Sequence, residues 1–331
     1  MKLLVPILAA VSMLSIAASS PTLTIPVKVD SYSGTGGATI SPDGKTVVYV
    51  GAINQLKKVN VDSGAEQPIR LATGENISDP RISPDGKKLL FTESDGETSY
   101  YQFRIMIANM DGSGLKQLTP DSRPGPKLWR TYQYCCAKFS PDGSQIALQR
   151  GNLYDHTTEN DVMVVHPDGT DLRAVTGGDV QGWEPTGKGF YLVHHSWNPH
   201  DGDSDSMFLY DFATKKASKM NIDSDDISNL LGRINGGFAV DKQVGWLNML
   251  PITDSAVGKA SVLPIPTMLQ LSDEQVRGLV NKNSPQDKSP KRSLPKALIL
   301  NHVSSDTSGK TLLLRYGGGY NGGEVIQVIQ N

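Results

Sequence analysis

The sequence predicts an all-β chain folded as a six-bladed β-propeller of four-stranded antiparallel blades. Three observations carry this. A Ser-Pro-Asp-Gly turn recurs before apolar runs, and a second Asp-Gly hairpin recurs between those turns. The 331 residues also include 33 Gly and 20 Pro, against the roughly 12% that the two average together. At 38% hydrophobic residues the chain can bury a sizeable core, so disorder is not the default reading. A formal charge of -2 and a pI near 6.3 lack the basic footprint of nucleic-acid binders, whose pI normally exceeds ~9. Nucleic acid is not an expected partner.

Taken in order, the first element is a leader. Lys2, the apolar run Leu3 to Leu14 and the small residues Ser15 to Ser20 read as a secretory signal over 1–19, cleaved between Ala17 and Ser20. The run is shorter than the ~20 apolar residues of a membrane span, and no later segment is apolar enough to cross. The mature chain, 20–331, is expected as one propeller domain in an oxidising compartment: the secretory pathway or the extracellular space, or the periplasm of a bacterial host. In a eukaryotic host Asn76, in Asn76-Ile77-Ser78, would be a glycosylation site. A strand near Thr22 to Val29 is expected to complete the last blade beside Glu324 to Gln330.

The repeat itself begins at Ile40-Ser41-Pro42-Asp43-Gly44-Lys45 and returns at Ile82-Ser83-Pro84-Asp85-Gly86-Lys87, Phe139-Ser140-Pro141-Asp142-Gly143-Ser144 and, eroded, Trp183-Glu184-Pro185-Thr186-Gly187-Lys188. Successive prolines are 42, 57 and 44 residues apart. Weaker copies are Phe238 to Gln243 before Val244 to Leu247, and Ser305 to Lys310 before Thr311 to Leu314. Proline presets φ, Asp supplies a local hydrogen bond and Gly a positive φ, so each copy is a strand, a tight turn and a second strand. Asp111 and Asp168 mark a second hairpin with the same 57-residue offset. Two hairpins per period give four strands, and units of ~40–50 residues bury their faces by stacking radially. Between Ser272 and Lys296, a capping-box spacing followed by Lys, Ser, Pro and Asn reads as a surface insertion.

This Ser-Pro-Asp-Gly-Lys unit resembles the repeat of TolB-like six-bladed propellers, closely over residues 35–192 and weakly over 193–325. The resemblance implies that the strand before each turn is the innermost and lines an axial channel. Those strands are Gly37 to Ile40, Asp79 to Ile82, Tyr134 to Phe139, Val180 to Trp183, Arg233 to Phe238 and Leu298 to His302, and they offer Arg81, Tyr134, Lys138, Gln181, Trp183, Arg233, Asn235 and His302 to the channel.

The segment feeding the third inner strand is the richest in chemistry: Trp129, Arg130, Tyr132 and Tyr134 place aromatic faces and a cation at the expected channel mouth, with blade packing as the alternative role for Trp129 and Tyr132. Cys135 and Cys136 are the only cysteines, so an intrachain disulfide can join only these neighbours. The oxidising compartment favours that bond, strained because adjacent Cα atoms lie ~3.8 Å apart against a usual minimum of ~4.4 Å. It would rigidify the segment. His194, His195 and His200 cluster without a recognised zinc spacing, and Asp201-Gly202-Asp203-Ser204-Asp205 lacks the glycine and glutamate of a calcium loop. No metal is expected. Nor is there a Gly-x-Ser-x-Gly elbow, a P-loop or a dinucleotide fingerprint, so no cofactor is expected.

A secreted single-domain propeller with an adjacent cysteine pair and an aromatic channel mouth also resembles the fungal propeller hetero-Diels–Alderases of tropolone-sesquiterpenoid and meroterpenoid pathways. That resemblance is one of architecture and sequence character. It implies a cofactor-free cycloaddition between a quinone methide and a sesquiterpene alkene, with small apolar molecules as partners. Donors to the reacting oxygen would come from Arg130, Tyr134, Arg233 or His194, and Trp129, Tyr132, Trp183, Trp246, Asn235 and His302 would bind substrate. The alternative is a non-catalytic TolB-like scaffold for a ligand or protein.

Overall fold

The structure, a computed structural model, describes residues 21–27, 37–51, 55–94, 103–121, 132–152, 160–198, 202–242, 245–253, 256–272, 274–275, 279, 297–317 and 324–330. The signal at 1–19, Trp129, Arg130 and most of the 272–296 insertion lie outside these residues.

Six antiparallel sheets form the blades of a propeller. The chain opens with β1 (Leu23–Val27) and then builds blade 1 from β2 (Ala38–Ile40), β3 (Thr46–Val50), β4 (Leu56–Asn60) and β5 (Glu66–Ile69). Blade 2 is β6 (Asn76–Ile82), β7 (Lys88–Ser94), β8 (Phe103–Asn109) and β9 (Lys116–Gln117); blade 3 is β10 (Tyr132–Phe139), β11 (Ile146–Asn152), β12 (Asp161–Val165) and β13 (Arg173–Gly177). Blade 4 is β14 (Asp179–Trp183), β15 (Gly189–Asn198), β16 (Gly202–Asp211) and β17 (Lys216–Lys219), followed by the short helix α1 (Ser224–Ser228). Blade 5 has β18 (Leu230–Ile234), β19 (Gly237–Asp241) and β20 (Trp246–Thr253), with β21 (Ala256–Val257) and β22 (Ser261–Pro266) both paired to β20. In blade 6, β23 (Met268–Gln270) pairs the start of β24 (Ala297–Ser305), and β25 (Thr311–Gly317) and β26 (Glu324–Gln330) follow. Finally β1 pairs β26, Leu23 opposite Val328 and Val27 opposite Glu324, so the N-terminal strand closes the ring as expected.

The turns show why these residues fold this way. In blade 2 the Ser83 hydroxyl donates to Asp85 Oδ1 at 2.6 Å, Lys87 N donates to the same carboxylate at 3.0 Å, and Lys88 N donates to Ser83 Oγ at 2.8 Å. Gly86 takes a φ of 72°. Blades 1 and 3 repeat this with Ser41/Asp43 and Ser140/Asp142. Blade 6 exchanges the roles: Asp306 stands where the serine was and accepts from Thr311 N at 3.1 Å, while the Ser308 hydroxyl donates to Asp306 at 2.8 Å. First and last turns join where the Thr307 hydroxyl donates to Pro42 O at 2.6 Å.

One copy of the repeat is corrected. The sequence placed the blade 5 turn at Asp241-Lys242, but Phe238 to Asp241 belong to the second strand, and the turn is Asn235-Gly236, between the paired Ile234 and Gly237. Gly236 supplies the positive φ, 86°, without a proline. The innermost strand of blade 5 is therefore β18, not Arg233 to Phe238.

Because each blade packs on two neighbours, central strands are buried on both faces instead of alternating: β7 is buried at every residue from Leu89 to Ser94, and β25 at every residue but Arg315. Six apolar layers fill the spaces between adjacent blades. Outer edges are blunted with Pro68 in β5 and with Lys216 and Lys219 in the wholly exposed β17.

Candidate functional site in the axial channel

Every inner strand except the short β2 carries a bulge: between Ser78 and Arg81, Cys135 and Lys138, Val180 and Gly182, Leu230 and Gly232, and Leu300 and His302. A bulge re-aims the side chains that follow it. In two of them the extra residue is not glycine and takes a left-handed conformation, Asp79 at φ 54° and Cys136 at φ 60°, a cost of about 1–3 kcal/mol each. Both stand five residues before their turn proline, and Gly37 stands five before its own. A Cβ on Gly37 would lie 2.9 Å from Asp79 N, so the glycine lets blades 1 and 2 meet closely at the axis. Gly232 does the same beside Val303 O, 2.1 Å from where its Cβ would be.

What the bulges bring together is a charged waist. Arg81 holds Asp79 at 3.0 Å and Pro80 O at 3.3 Å. Lys138 reaches from blade 3 to blade 4 and donates to Val180 O at 2.9 Å. Arg315 donates to Asn301 Oδ1 at 3.2 Å and stands 3.6 Å from Glu324. The Arg81 guanidinium holds the Asp79 carboxyl below the usual range, against its burial and helped by Lys138 and Arg315. Burial pushes Lys138 down, and burial with Arg81 and Arg315 pushes His302 down to about 3, so this imidazole is neutral. Among the described residues His302 Nε2 and Ser304 Oγ are buried without a hydrogen-bond partner. Asp79 nonetheless keeps 36% of its side-chain surface and Arg81 22%, because they border a space that water can enter.

Cys135 and Cys136 are free thiols in this structure, in place of the expected disulfide. A hydrogen bond between them raises the Cys135 thiol and lowers that of Cys136, and Lys138 favours the thiolate at both.

The other expected residues divide. Arg233 does reach the interior of the ring: it fills the room left by Gly182, its Cδ 3.1 Å from where a Cβ there would be, and its guanidinium lies 5.2 Å from the Tyr191 ring centroid. Burial lowers its pKa, and no carboxylate pairs with it among the described residues. Tyr134 packs in the apolar layer between blades 2 and 3. Burial raises the pKa of its phenol, which takes a hydrogen bond from Arg150, so it is a core residue. Trp183 is also core, 3% exposed, stacked at 5.7 Å on Phe212, its indole N–H donating to Lys138 O at 2.9 Å. It is not a channel wall. Trp246 opens β20, the third strand of its blade, opposite Pro266, away from the inner strands. The Asn235 backbone N–H donates to Ser305 Oγ at 3.0 Å and its side chain packs on Gly309, joining the turns of blades 5 and 6. His194 meets Phe208 edge-on at 4.7 Å. Asn76 begins β6 opposite Ser94, half-buried.

The entry end, where inner strands begin, adds residues that the repeat alone does not mark. Tyr132, 39% exposed, is covered by Arg150 at 4.7 Å, and Arg150 pairs with Asp161. Met268 and Ile299 are register partners and stand exposed at the start of β24. His195 lies between two carboxylates, Asp205 at 2.7 Å from Nδ1 and Asp179 at 3.1 Å from Nε2. Burial lowers its pKa, but the hydrogen bond and charge of Asp205, with Asp179, raise it overall. Residues missed at the waist are Asp79, Ser304 and Arg315; their signal was position relative to the turn. Among the described residues no group of three or more His, Cys, Asp or Glu is placed to hold a metal, and no helix is long and apolar enough to cross a membrane.

A cleft of about 860 Å³ lies elsewhere, between the turns of blades 3 and 4, lined by Asp142, Arg173, Lys188, Tyr210, Phe212 and Lys215 among others. It is open and lacks the buried unpartnered atoms of the waist.

No family model matches the chain, and no curated protein matches it. Solved structures do. An oligogalacturonate lyase from Vibrio parahaemolyticus is 14% identical over 88% of this chain and 76% of that one, with a TM-score of 0.51. A hydrazine synthase from Kuenenia stuttgartiensis is 14% identical over 89% and 83%, at 0.53, and a glucose dehydrogenase 11% identical over 93% and 99%, also at 0.53. At these identities the likeness is one of fold.

Proposed function

We propose that this propeller is an enzyme that binds a small molecule in its axial channel and catalyses a cofactor-free hetero-Diels–Alder cycloaddition of a quinone-methide heterodiene with a sesquiterpene alkene. The observation that carries the channel assignment is the waist, where the Asp79–Arg81 pair keeps part of its surface and, among the described residues, two buried polar atoms have no partner, together with an entry end that exposes Tyr132, Met268 and Ile299. The reaction class comes from the resemblance in sequence character, and the compartment, secretory or extracellular, from residues 1–19.

The chemistry suits this arrangement. A cycloaddition needs no nucleophile, and holding two reactants in register contributes up to about 7–11 kcal/mol. Negative charge develops on the heterodiene oxygen, where preorganised donors lower the barrier. Arg81 and Lys138 take the donor role first given to Tyr134, because they lie at the waist and Tyr134 lies in the core. Tyr132, Met268 and Ile299 would cover the hydrocarbon partner. Incubating a quinone-methide precursor and a sesquiterpene alkene with the protein should speed adduct formation and fix its stereochemistry. A rate and isomer ratio equal to those without protein would instead favour the scaffold role.

A further inference from the structure

We infer that the channel waist is a binding site for an anionic oxygen group, a carboxylate or an enolate, carried by the ligand and seated between Arg81, Lys138 and Ser304. This deepens the channel reading above and rests on it, but it is argued from charge and hydrogen-bond satisfaction.

Positive charge exceeds negative charge there. Arg81, Lys138 and Arg315 converge from blades 2, 3 and 6, and Arg233 adds a buried cation from blade 5 that forms no ion pair among the described residues and feels Glu184 only at longer range. Besides Glu184, which acts on Arg233, three carboxyl groups oppose them. Asp79 is engaged by Arg81, Asp179 by His195 and by the Asn160 amide at 2.7 Å, and burial pushes Glu324 towards its neutral form against the pull of Arg315. The Cys135 and Cys136 thiols are the remaining acids that act on Lys138. Burying cations together without matching anions is unfavourable, so the site is arranged to gain from an added negative charge.

Hydrogen-bond capacity points the same way. The Lys138 ammonium has three protons and the structure gives one recipient, Val180 O. Ser304 Oγ and His302 Nε2 are buried with no partner among the described residues, whereas buried polar atoms are ordinarily satisfied. Ser304 is three residues before Thr307, as Arg81 and Lys138 are three before Pro84 and Pro141, so the three stand at equivalent positions of their inner strands. A carboxylate or enolate oxygen accepts from the ammonium, the guanidinium and the hydroxyl together; a neutral alcohol uses less of the site, and a hydrocarbon none of it.

Calorimetric titration of the full chain with benzoate, and with benzyl alcohol as neutral counterpart, tests this at low ionic strength. Benzoate should bind at least about tenfold more tightly, in line with a charge-assisted hydrogen bond. Arg81→Met and Lys138→Met should each remove that preference, weakening benzoate far more than benzyl alcohol, while Arg173→Ala in the outer cleft should change neither. Ser304→Ala, a small change that keeps the charges, should weaken benzoate several-fold if either Met variant fails to fold. Equal affinity for the two probes, or benzoate binding untouched by Ser304→Ala and Arg81→Met, overturns the inference. Benzoate binding without cycloaddition retains the anion site and removes the pericyclase reading; cycloaddition without benzoate preference does the reverse.

Discussion

Gly112 and Gly86 both close Asp-Gly turns with positive φ, 89° and 72°, but a Cβ on Gly112 would stand 2.1 Å from Arg70 O whereas one on Gly86 meets nothing within 4 Å. Gly86→Ala should therefore cost only the left-handed penalty, about 1–2 kcal/mol, and Gly112→Ala distinctly more, because the neighbouring backbone must move. Urea midpoints of the two variants check the order. His195 offers a second test. Its folded pKa lies above the unfolded value of 6.5, so the stabilisation from Asp179 and Asp205 is complete below about pH 6.5 and fades as pH rises through the folded pKa. His195→Gln should flatten the pH dependence of the melting temperature in that window, and a pH dependence identical to that of the parent protein would contradict the bridge. The effect should be small, since the ring is 60% exposed. None of this was legible beforehand: residue spacing marked the turns, but the partner of Gly112 and the carboxylates around His195 come from distant segments.

Among elements, β1 closes the ring. Ile25 and Val27, 6% and 3% exposed, pack between blades 6 and 1, and burying two such side chains contributes about 3–6 kcal/mol, much of the ~5–15 kcal/mol that holds a domain folded. A chain starting after Val27 should melt far lower and less cooperatively by calorimetry; unchanged melting would contradict closure by this strand. The blades themselves were legible wherever Pro-Asp-Gly or its eroded form survives, since proline and glycine fix the local backbone. Blade 5 was misread because Asn235-Gly236 makes its turn without that signature. The channel face was misread at Trp183 for a different reason. Counting alternate residues along β14 fails across the bulge between Val180 and Gly182, and a slip of one residue exchanges the two faces. Trp183→Ala should accordingly cost about 3–5 kcal/mol, read by urea denaturation, with ligand affinity retained in the folded protein.

For the whole molecule, the six-fold stacking explains why the waist is polar. Apolar side chains are consumed by the six layers between blades, leaving the axis to the residues that bulges turn away from them. Function then depends on which opening is used, the channel or the cleft between the turns of blades 3 and 4. The product stereoisomer ratio of the cycloaddition, measured for Arg81→Met/Lys138→Met and for Arg173→Ala/Lys188→Ala beside the parent protein, decides between them. Reaction in the channel requires the first variant to fall back to the ratio formed without protein and the second to keep the parent ratio; the opposite pattern would place the chemistry in the cleft and contradict it.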